Sequence, residues 1–241
     1  MIRGVLLDVD DTLVDTRAAF AAGIAHVVRR WLPHLDREGR QGALRHWVTD
    51  AEGHFRAYTQ GRIDLVEQRR RRVAALHAAF GGPAVDAELF EAWDAAFEDA
   101  YRAAWRPCPD APRLLDTLDA VGLARGVVTN MRIDYQREKL AVVGLLDRVG
   151  VLVGMETFGV GKPDPRLFRH ACDVLGVEPA EAAYVGDELE VDARGARDAG
   201  LLGVWLDRHG TGESPPDVPV ISSLDELPAV LGVDRGGSEA R

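Results

Sequence analysis

The sequence predicts an α/β protein, a doubly wound, mainly parallel, Rossmann-like sheet with an α-helical subdomain inserted after its first strand. Three observations predict it. Short runs that are apolar on both faces recur, as strands buried in a parallel sheet require. Helical patterns alternate with the later runs, the βα order of a doubly wound fold. One interval of roughly 90 residues has helical periodicity and no strand pattern, far beyond a crossover length.

The first strand is the apolar run from Gly4 into Asp8. Between Thr16 and Pro107, apolar and aromatic positions recur near helical spacing (Phe20, Ile24, Val27; Val73, Leu76; Phe90, Trp93, Phe97, Tyr101), and Pro33, Gly81-Gly82-Pro83 and Pro107-Cys108-Pro109 mark turns. This divides the chain into an α/β core, residues 1–15 and 107–233, and a helical domain, residues 16–106. Further strands are expected over 126–129, 149–153, 183–186 and 202–206, with helices over 134–143, 165–175 and 191–199 closed by Gly144, Gly176 and Gly200. The tail, 234–241, is polar and glycine-containing and is expected to be disordered.

With 241 residues, 46% of them hydrophobic, the chain has the material for a large core. Its formal net charge of -10 argues against a nucleic acid polymer or an anionic membrane as partner, though a local cationic pocket remains compatible with one phosphate. Cys108 and Cys172 lack metal-ligand spacing and read as free thiols. The N-terminal segment offers no apolar stretch long enough for a signal peptide or a membrane span, so a cytoplasmic location is expected.

In an open parallel sheet, the loops at the carboxyl ends of the strands share one edge, where ligands bind. Here those loops carry Asp8 and Asp10, then Thr129-Asn130, then Lys162, then Asp187. A carboxylate at Asp8 can attack phosphorus and form an acyl-phosphate, which splits hydrolysis into two displacements. Asp10, two residues on, would protonate the leaving oxygen and later deprotonate water. Two anions repel a phosphate dianion unless a hard cation intervenes, and Asp8 with Asp187 would hold Mg2+ through oxygen ligands. Lys162 adds a second positive charge and Thr129 a hydroxyl donor.

In this order and spacing the chain resembles the haloacid dehalogenase (HAD) superfamily, phosphatase-like and of the subfamily whose helical C1 cap lies between the first and second motifs. The motifs are Asp8-Val9-Asp10-Asp11-Thr12-Leu13-Val14-Asp15, Val128-Thr129-Asn130, Gly161-Lys162-Pro163-Asp164-Pro165 and Val185-Gly186-Asp187-Glu188-Leu189-Glu190-Val191-Asp192. The resemblance implies Asp8 as nucleophile, Asp10 as general acid and base with its main-chain carbonyl on the metal, and Asp187 as the further metal carboxylate. It implies phosphate binding by Thr129, Asn130 and Lys162, and supporting roles for Thr12 and Asp192, the latter holding metal-bound water or orienting Lys162. It also implies a small phosphorylated metabolite as substrate and a cap that excludes water and selects it; monomer and homodimer stay open. Glu188 stands where many relatives carry Ser, Asn or Asp, and Met131 where Gly is common.

The expected activity is hydrolysis of a nucleotide, sugar phosphate or phosphoglycolate-type monoester, with an intramolecular phosphomutase as the nearest alternative. Dehalogenation is disfavoured by Asp10, which members with that activity lack, and a non-catalytic binding protein would not need the complete set of groups. Gly159-Val160-Gly161-Lys162 is not a phosphate-binding P-loop, because Glu156 replaces its first Gly and Pro163 its Ser or Thr. Arg69 to Arg72 point about 100° apart on a helix and read as a solvated or salt-bridged face, although one of them, or Arg62, is a candidate to face substrate. Trp31, Trp47, Trp93 and Trp105 read as core anchors. The histidines show no catalytic or metal signature.

Overall fold

The computed structural model describes residues 1–233; the tail at 234–241 lies outside the described residues. The chain forms two compact units, Met1–Asp15 with the chain from Pro107 onward, and Thr16–Arg106.

After β1 (Gly4–Leu7), the second unit contributes α1 (Thr16–Trp31), α2 (Arg37–Thr49), α3 (His54–Thr59), α4 (Leu65–Ala79) and α5 (Ala87–Ala103). Three of these helices start because an aspartate caps them. Asp36, Asp64 and Asp86 each accept a hydrogen bond at 2.8 Å from the main chain three residues on, satisfying an amide that the helix leaves without a partner. The core of the unit is an aromatic ladder along one face of α5, where Trp93, Phe97 and Tyr101 recur every four residues. Trp93 stacks on Phe97 with centroids 5.3 Å apart, and Phe97 on Tyr101 at 5.6 Å. Trp47 closes the ladder from α2 and Phe20 from α1. Gly23 lets α1 approach, since a β-carbon there would lie 2.8 Å from the Phe97 ring.

The first unit resumes with α6 (Ala111–Ala120), β2 (Ala124–Thr129), α7 (Ile133–Val142), β3 (Val151–Gly154), α8 (Pro165–Leu175) and β4 (Ala182–Gly186). A π-helical turn, Leu189–Arg194, then runs into α9 (Gly195–Ala199), followed by β5 (Leu202–Leu206), β6 (Val220–Ile221) and α10 (Leu227–Leu231). The six strands form one parallel sheet in the order β3-β2-β1-β4-β5-β6.

Side chains alternate across β1. Val5 and Leu7 pack with Leu114, Leu118 and Leu140 on one face, and Leu6 packs with Leu167, Phe168 and Ala171 on the other. The sheet is therefore covered on both sides, which explains why its strands read as unbroken apolar runs. Burying one such leucine is worth about 1.5–3 kcal/mol.

Several boundaries differ from the sequence expectation. The third strand begins at Val151 rather than at residue 149, because a 3-10 turn, Leu146–Arg148, and Gly150 at φ 68° precede it. The helix expected over 191–199 is the π-helical turn followed by the short α9. The short strand β6 and helix α6 had no counterpart in the expected strands and helices.

Candidate active site

The chain order of the strands reverses beside β1: β2 and β3 lie to one side of it and β4 to β6 to the other. The crevice at the carboxyl ends of β1 and β4 is thus the topological switch point, where doubly wound sheets bind ligands. Asp8 follows β1 directly, and its amide donates to the Val185 carbonyl at 2.9 Å. The chain then turns sharply. Leu13 and Val14 both donate to the Val9 carbonyl at 2.9 Å, and Asp11 takes a left-handed φ of 54° that aspartate tolerates better than most residues.

Lys162 sits at the centre of the site. Its ammonium donates to Asp8 Oδ1 at 2.6 Å, Asp192 Oδ1 at 2.7 Å and the Tyr184 hydroxyl at 2.7 Å. A lysine ammonium has three protons to donate, so these three acceptors occupy it fully. Asp8 and Lys162 are each only 5% exposed. Asn130 fixes the main chain of Lys162 on both sides, accepting from its amide at 2.5 Å and donating to its carbonyl at 3.3 Å. The side-chain amide of Asn130, expected near phosphate, is thus engaged with Lys162.

Oxygens of Asp8, Asp187 and Asp192 lie within 4.8 Å of one another. Asp192 is brought there by the π-helical turn, and Gly186 makes room for it, because a β-carbon at Gly186 would collide with the Asp192 carboxylate. Asp187 is held through its carbonyl, which accepts from Trp205 Nε1 at 2.9 Å. Burial, opposed by Lys162 and aided by the repulsion of Asp192 and Asp10, pushes the Asp8 carboxyl up to about 8. Asp187 is raised well above the usual carboxylate range for the same reasons, burial first and then Asp192 and Asp8. Lys162 is raised too, its two carboxylate partners outweighing burial, and stays charged. Three converging carboxylates with one ammonium retain an excess of negative charge that a divalent cation would neutralise. An all-oxygen, carboxylate-rich set suits a hard ion such as magnesium, so the residues fit the metal expected from the sequence.

The carboxylate of Asp10 lies outside that cluster. It accepts from Lys139 Nζ at 2.5 Å and from Gln136 Nε2 at 2.7 Å, and Gln136 Nε2 also donates to Thr129 Oγ1 at 2.9 Å. Thr129 closes β2 and is 1% exposed. Thr12 is buried in the turn, where its carbonyl accepts from Arg208 Nη2 at 2.7 Å. Arg208 also binds the Asp11 carbonyl at 3.0 Å and both oxygens of Asp110, at 2.7 and 2.9 Å, and so braces the turn that carries Asp8 and Asp10.

Sequence reasoning missed Gln136, Lys139, Tyr184, Asp110 and Arg208. Gln136 and Lys139 carried a faint signal, since both share the buried face of α7 with Leu140. Tyr184 and Arg208 carried none, the first reading as strand core and the second as surface.

The arginines of α4 have partners within the helical unit. Arg69 pairs with Asp94 at 3.1 Å and with Glu98, Arg70 and Arg71 pair with Glu67, and Arg72 lies over the Trp47 ring at 4.1 Å. Trp47, Trp93 and Trp105 are buried. Both cysteines are free and buried, and burial raises their thiols to about 12 for Cys108 and about 11 for Cys172. Among the described residues, no helix is long and apolar enough to cross a membrane.

A parallel α/β sheet with carboxylates and a saturated lysine at its switch point is an arrangement suited to a hydrolase. The model of the haloacid dehalogenase-like hydrolase family matches residues 2–200, and the chain belongs to that family. It is 36% identical over 236 residues to the phosphoserine phosphatase of Thermus thermophilus, covering 89% of this chain and 92% of the relative. It is 31% identical over 224 residues to the glyceraldehyde 3-phosphate phosphatase of Methanopyrus kandleri, covering 91% of each. Its fold matches that of the HAD hydrolase YfnB of Bacillus subtilis, a structure bound to magnesium, with a TM-score of 0.75 at 23% identity over 95% of this chain and 98% of the other.

Proposed function

We propose that this HAD-family phosphatase hydrolyses a small phosphate monoester, of the nucleotide, sugar phosphate or phosphoglycolate kind, through an aspartyl-phosphate on Asp8. The observation that carries the reading is the buried Lys162 ammonium 2.6 Å from Asp8 at the switch point, with Asp187 and Asp192 beside it. Relatives that act on phosphoserine and on glyceraldehyde 3-phosphate support a small phosphorylated metabolite as substrate.

In this mechanism an Asp8 carboxylate oxygen attacks phosphorus, and the leaving alkoxide takes a proton from the Asp10 carboxyl. Asp10, now ionised, removes a proton from the water that attacks phosphorus in the second step, releasing phosphate and restoring Asp8. Thr129 donates its hydroxyl to a phosphoryl oxygen. Lys162 neutralises Asp8 in the resting site and shares its charge with the phosphoryl group as that group arrives. Asn130 holds the Lys162 main chain, Asp192 orients the Lys162 ammonium, and Thr12 supports the turn. Asp8 and Asp187, with the Asp10 main-chain carbonyl, would hold magnesium. The ion would supply the charge that offsets repulsion between these carboxylates and a phosphate dianion. The helical unit serves as the cap domain, and the enzyme belongs in the cytoplasm.

The test is turnover of p-nitrophenyl phosphate and of a panel of phosphorylated metabolites, with and without magnesium, for the parent enzyme and for Asp8→Asn and Asp10→Asn. Phosphate release that needs magnesium and both aspartates is expected. Release indifferent to either substitution would sink the mechanism, and migration of phosphate on a sugar without release would make the enzyme a mutase.

A further inference from the structure

Helix α7 spends two positions of its buried face, Gln136 and Lys139, on polar side chains. The Lys139 side chain is 1% exposed. Burying an ammonium costs free energy that its ion pair barely recovers, and an apolar side chain of like size serves stability as well or better. Packing alone therefore leaves this lysine unexplained. What Gln136 and Lys139 share is Asp10, which each approaches through a different oxygen, Lys139 through Oδ1 at 2.5 Å and Gln136 through Oδ2 at 2.7 Å.

Gln136 does more. Its Nε2 also donates to Thr129 Oγ1 at 2.9 Å, and the Met131 amide donates to the same oxygen at 3.2 Å. A threonine hydroxyl has two lone pairs and one proton. With both lone pairs occupied, the Thr129 hydroxyl acts outward only as a donor. The Asp10 carboxylate, for its part, has about four acceptor sites, and one donor on each oxygen fixes its plane and leaves the remainder for the reacting groups. The Gln136 Oε1, by contrast, is buried with no hydrogen-bond partner among the described residues. The amide is thus arranged for what its nitrogen serves.

We infer that Gln136 and Lys139 are positioning residues for the reaction, orienting Asp10 for proton transfer and setting Thr129 as a donor toward the phosphoryl group. The inference rests on the reading of Asp10 as general acid and base. Neither side chain touches substrate; both act through Asp10, and Gln136 through Thr129 as well.

The experiment compares kcat/KM, which reports the attack by Asp8 and not the later hydrolysis common to all substrates, for an alkyl phosphate, whose leaving oxygen needs a proton, and for p-nitrophenyl phosphate, whose leaving group departs without one. Variants are Lys139→Met, Lys139→Arg, Gln136→Leu, Asp10→Asn and the double variant Asp10→Asn with Lys139→Met. Lys139→Met should lower kcat/KM on the alkyl phosphate by about 10²-fold, the scale of general acid catalysis, and by less than about 5-fold on p-nitrophenyl phosphate. Gln136→Leu should show the same uneven loss together with a smaller loss common to both substrates, because Thr129 loses its orienting partner as well. Lys139→Arg should recover most of the loss. In the Asp10→Asn background Lys139→Met should add less than about 3-fold, since groups that act as a unit do not add.

Equal losses on both substrates from Lys139→Met and Gln136→Leu, beside an uneven loss from Asp10→Asn, would overturn the inference and leave the acid–base reading standing. An even loss from Asp10→Asn would remove that reading and this inference with it. Should Lys139→Met fail to fold, Gln136→Leu decides by the same comparison.

Discussion

In the helical unit, buried cations meet acids or main-chain acceptors. Arg69 bridges Asp94 and Glu98, and Arg72, on the ring of Trp47, binds the Trp47 carbonyl and faces Asp50 at 3.8 Å. At the edge of the sheet the balance is reversed, because Asp8, Asp187 and Asp192 converge on a site where Lys162 is the ammonium bound to Asp8 and Asp192. Both regions bury charge, and burial of charge is costly unless it is matched. Where the charges match, they stabilise a fold. Where carboxylates are left in excess, the fold gives up stability, which is the signature of a site rather than a core.

The comparison can be broken most sharply at the excess side. Asp8→Asn removes the proposed nucleophile and should lower kcat by about 10⁴-fold or more, read as p-nitrophenyl phosphate turnover; residual turnover near the parent rate would place the nucleophile elsewhere. Lys162→Met should cost about 10²–10³-fold in kcat, because Asp8 loses the charge at 2.6 Å that favours its ionised form. On the matched side, Phe97→Ala should destabilise the protein by about 3–5 kcal/mol, as truncation of a buried aromatic does. Denaturant unfolding checks it, and a loss below about 1 kcal/mol would show that the ladder is not the core of its unit.

A gentler probe is pH. Asp8 rises from its usual 3.8 to about 8 in the folded site, so the folded protein holds a proton that the unfolded chain has released. The stability this contributes is complete below about pH 4 and is lost as pH rises through about 8. Without divalent ions, Tm should fall across that interval, and magnesium should raise Tm more at its upper end, where fewer protons compete with the metal. A magnesium shift that is constant with pH would contradict the raised carboxyl. The smallest effect belongs to Arg70→Ala, which removes an exposed pair with Glu67 and should leave Tm unchanged.

The site was legible from sequence to the extent that it is written in strand ends. Asp8, Thr129 and Asp187 each end or follow a strand, so apolar runs alone bring them to one edge. The residues that set their geometry were not legible, because they lie far away in sequence on elements whose local pattern has another explanation. Lys139 meets Asp10 across a separation of 129 residues. Tyr184 fits the apolar rhythm of β4 although its hydroxyl also reaches the Val128 carbonyl at 3.0 Å. The π-helical turn that delivers Asp192 has no pattern in a sequence that reads as an ordinary helix. Strand β6 is two residues long and adds too little apolar periodicity to register.

The most direct test of Asp8 as nucleophile is an acid quench of the enzyme during turnover, with the mass of the Asp8 peptide read for a phosphoryl adduct. A nucleophilic Asp8 gives an adduct on that peptide at early times, which decays as phosphate appears and is absent in Asp8→Asn. Steady turnover with no adduct on that peptide, in both the parent and a variant slowed at Asp10, would contradict it.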